Sequence, residues 1–206
     1  MHRTSKNAAT ATSSKAVTRF IIPLLLGCLL LGCQQAVLPE KITLEAINGE
    51  TILFGALPEA KVQVYFYFGP TCPLSENYTA HANRLMEQYG QDSVRFTAII
   101  PGHYDSPAAI ADFITRFKLR LPVYRDSSWQ LTRFMQARIT PEVFVYAEKK
   151  LIYKGAIDNW AVSLGQQRRK ATEHYLENAL TAYFAGQWIN PDHTEAVGCF
   201  IEPPQP

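Results

Sequence analysis

The chain has 206 residues, with 20 Lys and Arg against 18 Asp and Glu, a formal net charge of +2 and a hydrophobic share of 47%. That near-balance, with no basic stripe, excludes a nucleic-acid surface, and the apolar share is that of a folded globular protein. The four cysteines are the residues on which a chemical reading depends.

The first stretch carries its charge early, in His2, Arg3, Lys6, Lys15 and Arg19, and then becomes an apolar run from Phe20 to Leu31. That is the layout of a secretory signal. A run of about a dozen residues is too short for a membrane-spanning helix, which needs about 20. It ends in Leu30-Leu31-Gly32-Cys33-Gln34-Gln35, which resembles the bacterial lipobox, where a small residue precedes a cysteine that is diacylated and becomes the new N-terminus. Leu25-Leu26-Gly27-Cys28 fits the same pattern, but cleavage there would leave Leu29-Leu30-Leu31 on the mature chain, so Cys33 is preferred. The resemblance implies that residues 1–32 are removed and that Cys33 carries a lipid. The protein is then held to a membrane of a bacterial envelope, facing the periplasm or the cell exterior. Ordinary cleavage without a lipid is the alternative. Residues 33–40 then form an anchor and linker, and residues 41–206 one domain large enough to bury its own core.

Only Cys72 and Cys199 remain as thiols after such processing. Idle free thiols are uncommon in an oxidising compartment. Three readings stay open for the two: a structural staple, a redox pair, or one reactive thiol with a resolving partner.

In chain order, Lys41 to Phe54 reads as a β-hairpin, with Ile42, Leu44 and Ala46 alternating with polar residues and a turn at Asn48-Gly49. Val62 to Phe68 is β-branched and aromatic, which suits a central buried strand. The strand stops at Gly69-Pro70-Thr71-Cys72-Pro73, and helical spacing runs from Leu74 to Tyr89 with Gly90 as C-cap. Val94 to Ile100 is a further strand. Ser106 as N-cap with Pro107 in the first turn starts a helix that runs to about Phe117. Leu121 to Tyr124 reads as a short edge-like strand and Asp126 to Arg138 as a helix. Glu142 to Tyr146 is a strand that turns at Lys149-Lys150 into Leu151 to Tyr153, and Gly155 to Ile157 closes the sheet. A last helix spans about Ala171 to Ala185, with Gly186 past its end.

Cys72 thus falls at the start of a helix, where partial positive charge and free N–H groups favour a thiolate, the nucleophilic form. Pro73 suits the first helical position, where its missing N–H costs nothing. The alternative is a buried, inert cysteine that ends a strand.

The Thr140-Pro141 step between a helix and a β run completes a pattern that resembles the thioredoxin-like superfamily, in particular its redoxin branch, related to the alkyl hydroperoxide reductase and thiol-specific antioxidant proteins. Four landmarks carry the resemblance: Cys72-Pro73-Leu74-Ser75, Thr140-Pro141-Glu142-Val143, Tyr153 to Asp158, and Val197-Gly198-Cys199. It implies a three-layer α/β fold, a central mixed β-sheet flanked by helices, with an N-terminal β-hairpin and a C-terminal tail. It also implies a cis bond before Pro141, packed beside Cys72. Three departures stand out. Ser75 occupies the place of the second cysteine of a Cys-x-x-Cys pair. Gly69 occupies the place where peroxiredoxins carry Thr, with Thr71 adjacent to the cysteine instead. The Cys-x-x-x-Cys of the copper chaperones is absent.

The activity so implied is thiol–disulfide oxidoreduction on protein thiols or disulfides. Cys72 is the nucleophile, Cys199 resolves it through the close approach that Gly198 permits, and Thr71, Pro73, Ser75, Thr140 and Pro141 support the site. Cys199 as a free or structural cysteine on the tail is the alternative. A thiol peroxidase acting on hydroperoxides is the second reading. A third is a Cu(I) site built from Cys72, Cys199 and a histidine, or a redox-inert scaffold. No cofactor and no resident metal are expected. His103 reads as a solvated loop residue, His81 and His174 as surface residues of helices, and Arg168-Arg169-Lys170 as a solvated charge run.

Overall fold

The computed structural model describes residues 38–90 and 93–202; the signal, Cys33 and its alternative Cys28 lie outside the described residues. The hairpin forms β1 (Thr43–Ala46) and β2 (Thr51–Leu53), and Gly49 turns it at φ +85°, a value that favours glycine. Next come β3 (Val62–Tyr67), α1 (Pro73–Tyr89), β4 (Val94–Pro101) and α2 (Pro107–Arg116). They are followed by β5 (Val123–Asp126), α3 (Gln130–Met135), β6 (Ile139–Thr140), β7 (Glu142–Ala147) and β8 (Lys150–Gly155). The chain ends with β9 (Ala161–Ser163), β10 (Gln166–Gln167), α4 (Tyr175–Phe184) and β11 (Cys199–Phe200).

Seven strands form one mixed sheet in the order β2-β1-β5-β4-β3-β7-β8. β3, β4 and β5 run parallel, and β7 lies antiparallel to β3, so β3 has a full partner on both sides. Because side chains alternate across a strand, Val62, Val64 and Phe66 of β3, with Phe68 just beyond it, point to one face. There they pack with Tyr78, Ala82 and Leu85 of α1, Phe113 of α2 and Leu180 of α4. Tyr65 and Tyr67 point to the other face, with Leu131 and Met135 of α3, Leu44 and Phe144. The result is the expected three-layer α/β arrangement, with helices on both faces of a mixed sheet.

Several elements differ from their sequence reading, each for a local reason. Leu121–Tyr124 was expected at an edge, yet β5 is interior, because the N-terminal hairpin docks on it through Glu45 opposite Arg125 and Ala46 opposite Tyr124. The helix expected from Asp126 is only Gln130–Met135, since Asp126 ends the strand and its carboxylate accepts the Thr132 N–H and hydroxyl, both at 2.7 Å. Gly155, at φ +128°, is the last residue of β8, so 156–157 lie beyond the sheet and form no closing strand. The last helix starts at Tyr175, because the Asn159 side chain accepts the Thr172 and Glu173 N–H groups and holds them outside it. Gly90 caps α1 at φ −77°, so the left-handed freedom of glycine is not used there. Within the stretch read as linker, Leu38 is buried against Ile42, Leu44 and Phe54.

Candidate active site

β3 delivers the chain to a tight turn. The Phe68 N–H donates to Ile99 O at 3.0 Å, the Cys72 N–H donates to Gly69 O at 3.0 Å, and α1 then begins with Pro73 in its first turn. Cys72 is the N-cap residue, in extended conformation, and is 2% exposed. Its thiol donates to the Thr140 carbonyl at 3.0 Å.

Ser75 is fully buried and accepts the Gly69 N–H at 3.1 Å, which leaves its own hydroxyl proton free for the Cys72 sulfur. A Cβ on Gly69 would stand 2.9 Å from Thr140 Oγ1 and 3.3 Å from Cys72 Cβ, so no side chain has room there. Thr71 and Pro73 are exposed, and the Thr71 hydroxyl takes part in no hydrogen bond among the described residues.

The peptide bond between Thr140 and Pro141 is cis, as anticipated. The loop before it is tied down by Glu142, whose carboxylate accepts the Arg138 N–H at 2.9 Å and the Ile139 N–H at 3.4 Å. Burial pushes this carboxyl above the usual range against the pull of those two donors.

The tail reaches the same place by zipping along β8 and β6. Lys154 N–H donates to Asp192 O and Thr194 N–H to Lys154 O, both at 3.1 Å. The Thr194 hydroxyl accepts the Ala156 N–H at 3.0 Å and meets the Tyr153 hydroxyl at 2.6 Å. Cys199 then lies directly opposite Thr140 in the β11–β6 pair, and Ile201 N–H closes the pairing on Arg138 O at 2.8 Å. The close approach expected of Gly198 is present: a Cβ there would sit 2.1 Å from Thr140 O. Thr140 is therefore shared, its carbonyl holding Cys72 and its backbone facing Cys199.

Both cysteines are free thiols, so the expected disulfide is not formed in this structure. Burial alone would raise the Cys72 thiol. Hydrogen bonds from the Cys199 thiol, the Ser75 and Cys199 backbone and the Ser75 hydroxyl outweigh it and bring the thiol below its ordinary value. Cys199 moves the opposite way, pushed up to about 12 by burial and by its bond and proximity to Cys72. The two thiols thus shift in opposite directions, and Cys72 is the more acidic of the pair.

A second constellation was missed in the sequence, although Asp158 belongs to one of its landmarks. The Asp158 carboxylate is buried and accepts the Tyr78 hydroxyl at 2.5 Å and the Trp160 N–H at 2.9 Å on one oxygen. His81 lies 3.5 Å from the other oxygen and 3.4 Å from Glu177, so it is a packed residue and not the surface histidine expected. Burial and Arg84 lower its pKa against the pull of the two carboxylates. His103 accepts the Trp129 indole N–H at 3.4 Å, and Arg168, Arg169 and Lys170 are exposed. Among the described residues no group of three or more His, Cys, Asp or Glu side chains has the geometry to hold a metal ion, and no histidine joins the two thiols.

No protein-family model matches the chain, and no curated protein matches it significantly. Solved structures do. An uncharacterized conserved protein from Geobacillus kaustophilus superposes with a TM-score of 0.69 at 19% identity, over 82% of this chain and 90% of that one. A hypothetical protein from Sinorhizobium meliloti gives 0.67 at 18% identity, over 82% and 94%. A candidate thiol:disulfide interchange protein DsbE from Chlorobium tepidum gives 0.56 at 15% identity, over 72% and 95%. At these identities what is shared is the fold, and the fold is thioredoxin-like.

Proposed function

We propose that this protein is a thiol–disulfide oxidoreductase with Cys72 as nucleophile and Cys199 as resolving cysteine. The observation that carries the proposal is the convergence of both thiols on Thr140, with Cys72 favoured as thiolate. The Cys72 thiolate attacks one sulfur of a disulfide, a mixed disulfide forms, and the other sulfur leaves as thiolate and takes up a proton. The Cys199 sulfur, losing its proton as it attacks, then displaces the bound half and leaves a Cys72–Cys199 disulfide. The two electrons have passed to the substrate, and a partner protein dithiol restores the reduced pair. The lipobox-like end at Cys33 supports a bacterial envelope location with a membrane lipid at that residue. No helix among the described residues is long and apolar enough to cross a membrane.

One experiment tests the chemistry. The reduced protein is treated with one equivalent of hydroxyethyl disulfide or of hydrogen peroxide and its peptides are mapped. Hydroxyethyl disulfide should give an intramolecular Cys72–Cys199 disulfide, and Cys199→Ser should accumulate a mixed disulfide on Cys72. Reaction with peroxide alone would replace the oxidoreductase by the peroxidase. Lipid on Cys33, lost in Cys33→Ala, is read from the mass of the mature N-terminal peptide, and an unmodified N-terminus would remove the anchor.

A further inference from the structure

Behind Pro141 lies a cleft of about 200 Å³ whose lining includes Tyr78, Pro141, Asp158, Arg168, Glu195 and Val197. Pro141 follows the residue whose carbonyl holds the Cys72 sulfur, and Val197 stands two residues before Cys199. The cleft is thus lined by the chain neighbour of Thr140 and by a residue two before Cys199, although neither cysteine lines it. Its charges are mixed and incompletely matched. Arg168 is exposed and spends one of its five donors on the Asn159 carbonyl. Glu195 is exposed as well, and neither residue is in an ion pair with another described residue. Asp158 adds a buried carboxylate on the same wall, held in place by Tyr78 and Trp160. A free guanidinium and a free carboxylate on one small cleft suit a ligand that carries both charges at close spacing, with a volume near that of one amino acid.

We propose that the cleft binds the α-ammonium and α-carboxylate of a free cysteine half of the substrate, so that the disulfide attacked by Cys72 is of the cystine type. Arg168 takes the carboxylate, Glu195 and the Asp158 carboxylate attract the ammonium, and the cysteine sulfur is directed past Pro141 to the thiols. This rests on the oxidoreductase reading. The balance is that of the exchange itself: cystine accepts two electrons and two protons and leaves as two cysteines, while Cys72 and Cys199 become a disulfide. No other oxidant is required.

The test uses the reduced full-length chain and measures single-turnover loss of the Cys72 thiol. Four disulfides are compared: cystine, cystamine (amines only), dithiodipropionate (carboxylates only) and uncharged hydroxyethyl disulfide. Arg168→Gln should slow cystine and dithiodipropionate about fivefold and leave the other two unchanged. Glu195→Gln should slow cystine and cystamine by a similar factor and spare dithiodipropionate and hydroxyethyl disulfide. Variants that slow all four disulfides alike, or none, overturn the assignment. Titration with S-methylcysteine, which has the zwitterion and no disulfide, separates the two levels of the argument. Binding that is lost in Arg168→Gln sustains the cleft even if Cys72 proves inert to all four disulfides, a result that would sink the oxidoreductase reading. Normal exchange with hydroxyethyl disulfide and no binding of S-methylcysteine overturns the cleft alone.

Discussion

The two thiols are held by parts of the molecule with very different anchorage. Cys72 stands at the end of β3, a strand paired on both sides, and behind it Phe66, Tyr67 and Phe68 are fully buried. Cys199 stands on β11, two residues paired with the two residues of β6, and the next side chain, Phe200, is 73% exposed. Cys72 is thus placed by the core, and Cys199 by a handful of backbone bonds. Segments with few buried apolar contacts open at a fraction of the free energy of global unfolding. The difference predicts that movement falls to the tail: a disulfide that displaces Cys199 from the pair should leave Cys72 where it is.

The sharpest contrast comes from breaking each side separately. Phe66 is fully buried and stacks on Phe68, with ring centroids 5.4 Å apart. Phe66→Ala should cost about 3–5 kcal/mol, seen as a large fall in the urea midpoint and loss of both thiol environments together. Gly198→Ala forces a Cβ to 2.1 Å from Thr140 O. Its cost of about 1–3 kcal/mol should fall on tail docking, so that Tm changes little while proteolysis after Thr194 quickens and the Cys72–Cys199 disulfide no longer forms. If the two variants unfold alike, the two regions are one cooperative unit and the contrast fails.

The smallest expected effect concerns pH. The Cys199 thiol is the largest of the contributions that lower Cys72, and burial opposes it. Removing it lets burial gain, so the midpoint of iodoacetamide labelling at Cys72 should move upward in Cys199→Ala. In the wild type that midpoint should lie below the free-thiol value of about 8.5, and Cys199→Ser, which keeps a donor, should fall between the two. A midpoint that is the same in all three proteins would mean that the tail does not tune the nucleophile.

The parts of this arrangement that a linear reading reached are those set by neighbours in the chain. Asn48-Gly49 announced its turn, the β-branched and aromatic run at Val62 its central strand, and Cys72-Pro73 its helix start. Pro141 was legible because the Thr-Pro step falls between recognisable elements. What escaped depends on distant partners. Whether β5 is an edge is decided by the hairpin near residue 45. Where α4 begins is decided by the Asn159 side chain, thirteen residues and more before the groups it binds. His81 looked like a surface residue because nothing near it in sequence reveals that Asp158 and Glu177 close over it. The β9–β10 hairpin is mostly exposed and lacks the apolar alternation that would have marked it.

That Cys199 comes after every helix and all other strands has a further consequence for a chain made from its N-terminus. The β3–α1 unit and its cysteine emerge and gain partners while the last segment is still being synthesised. In that interval Cys72 lacks the Cys199 contribution, the largest of those that bring its thiol below the ordinary value, and should be less acidic than in the complete fold. On the oxidoreductase reading proposed above, an unfinished chain should form adducts at Cys72 more slowly than the complete one, because the residue proposed to resolve them arrives last.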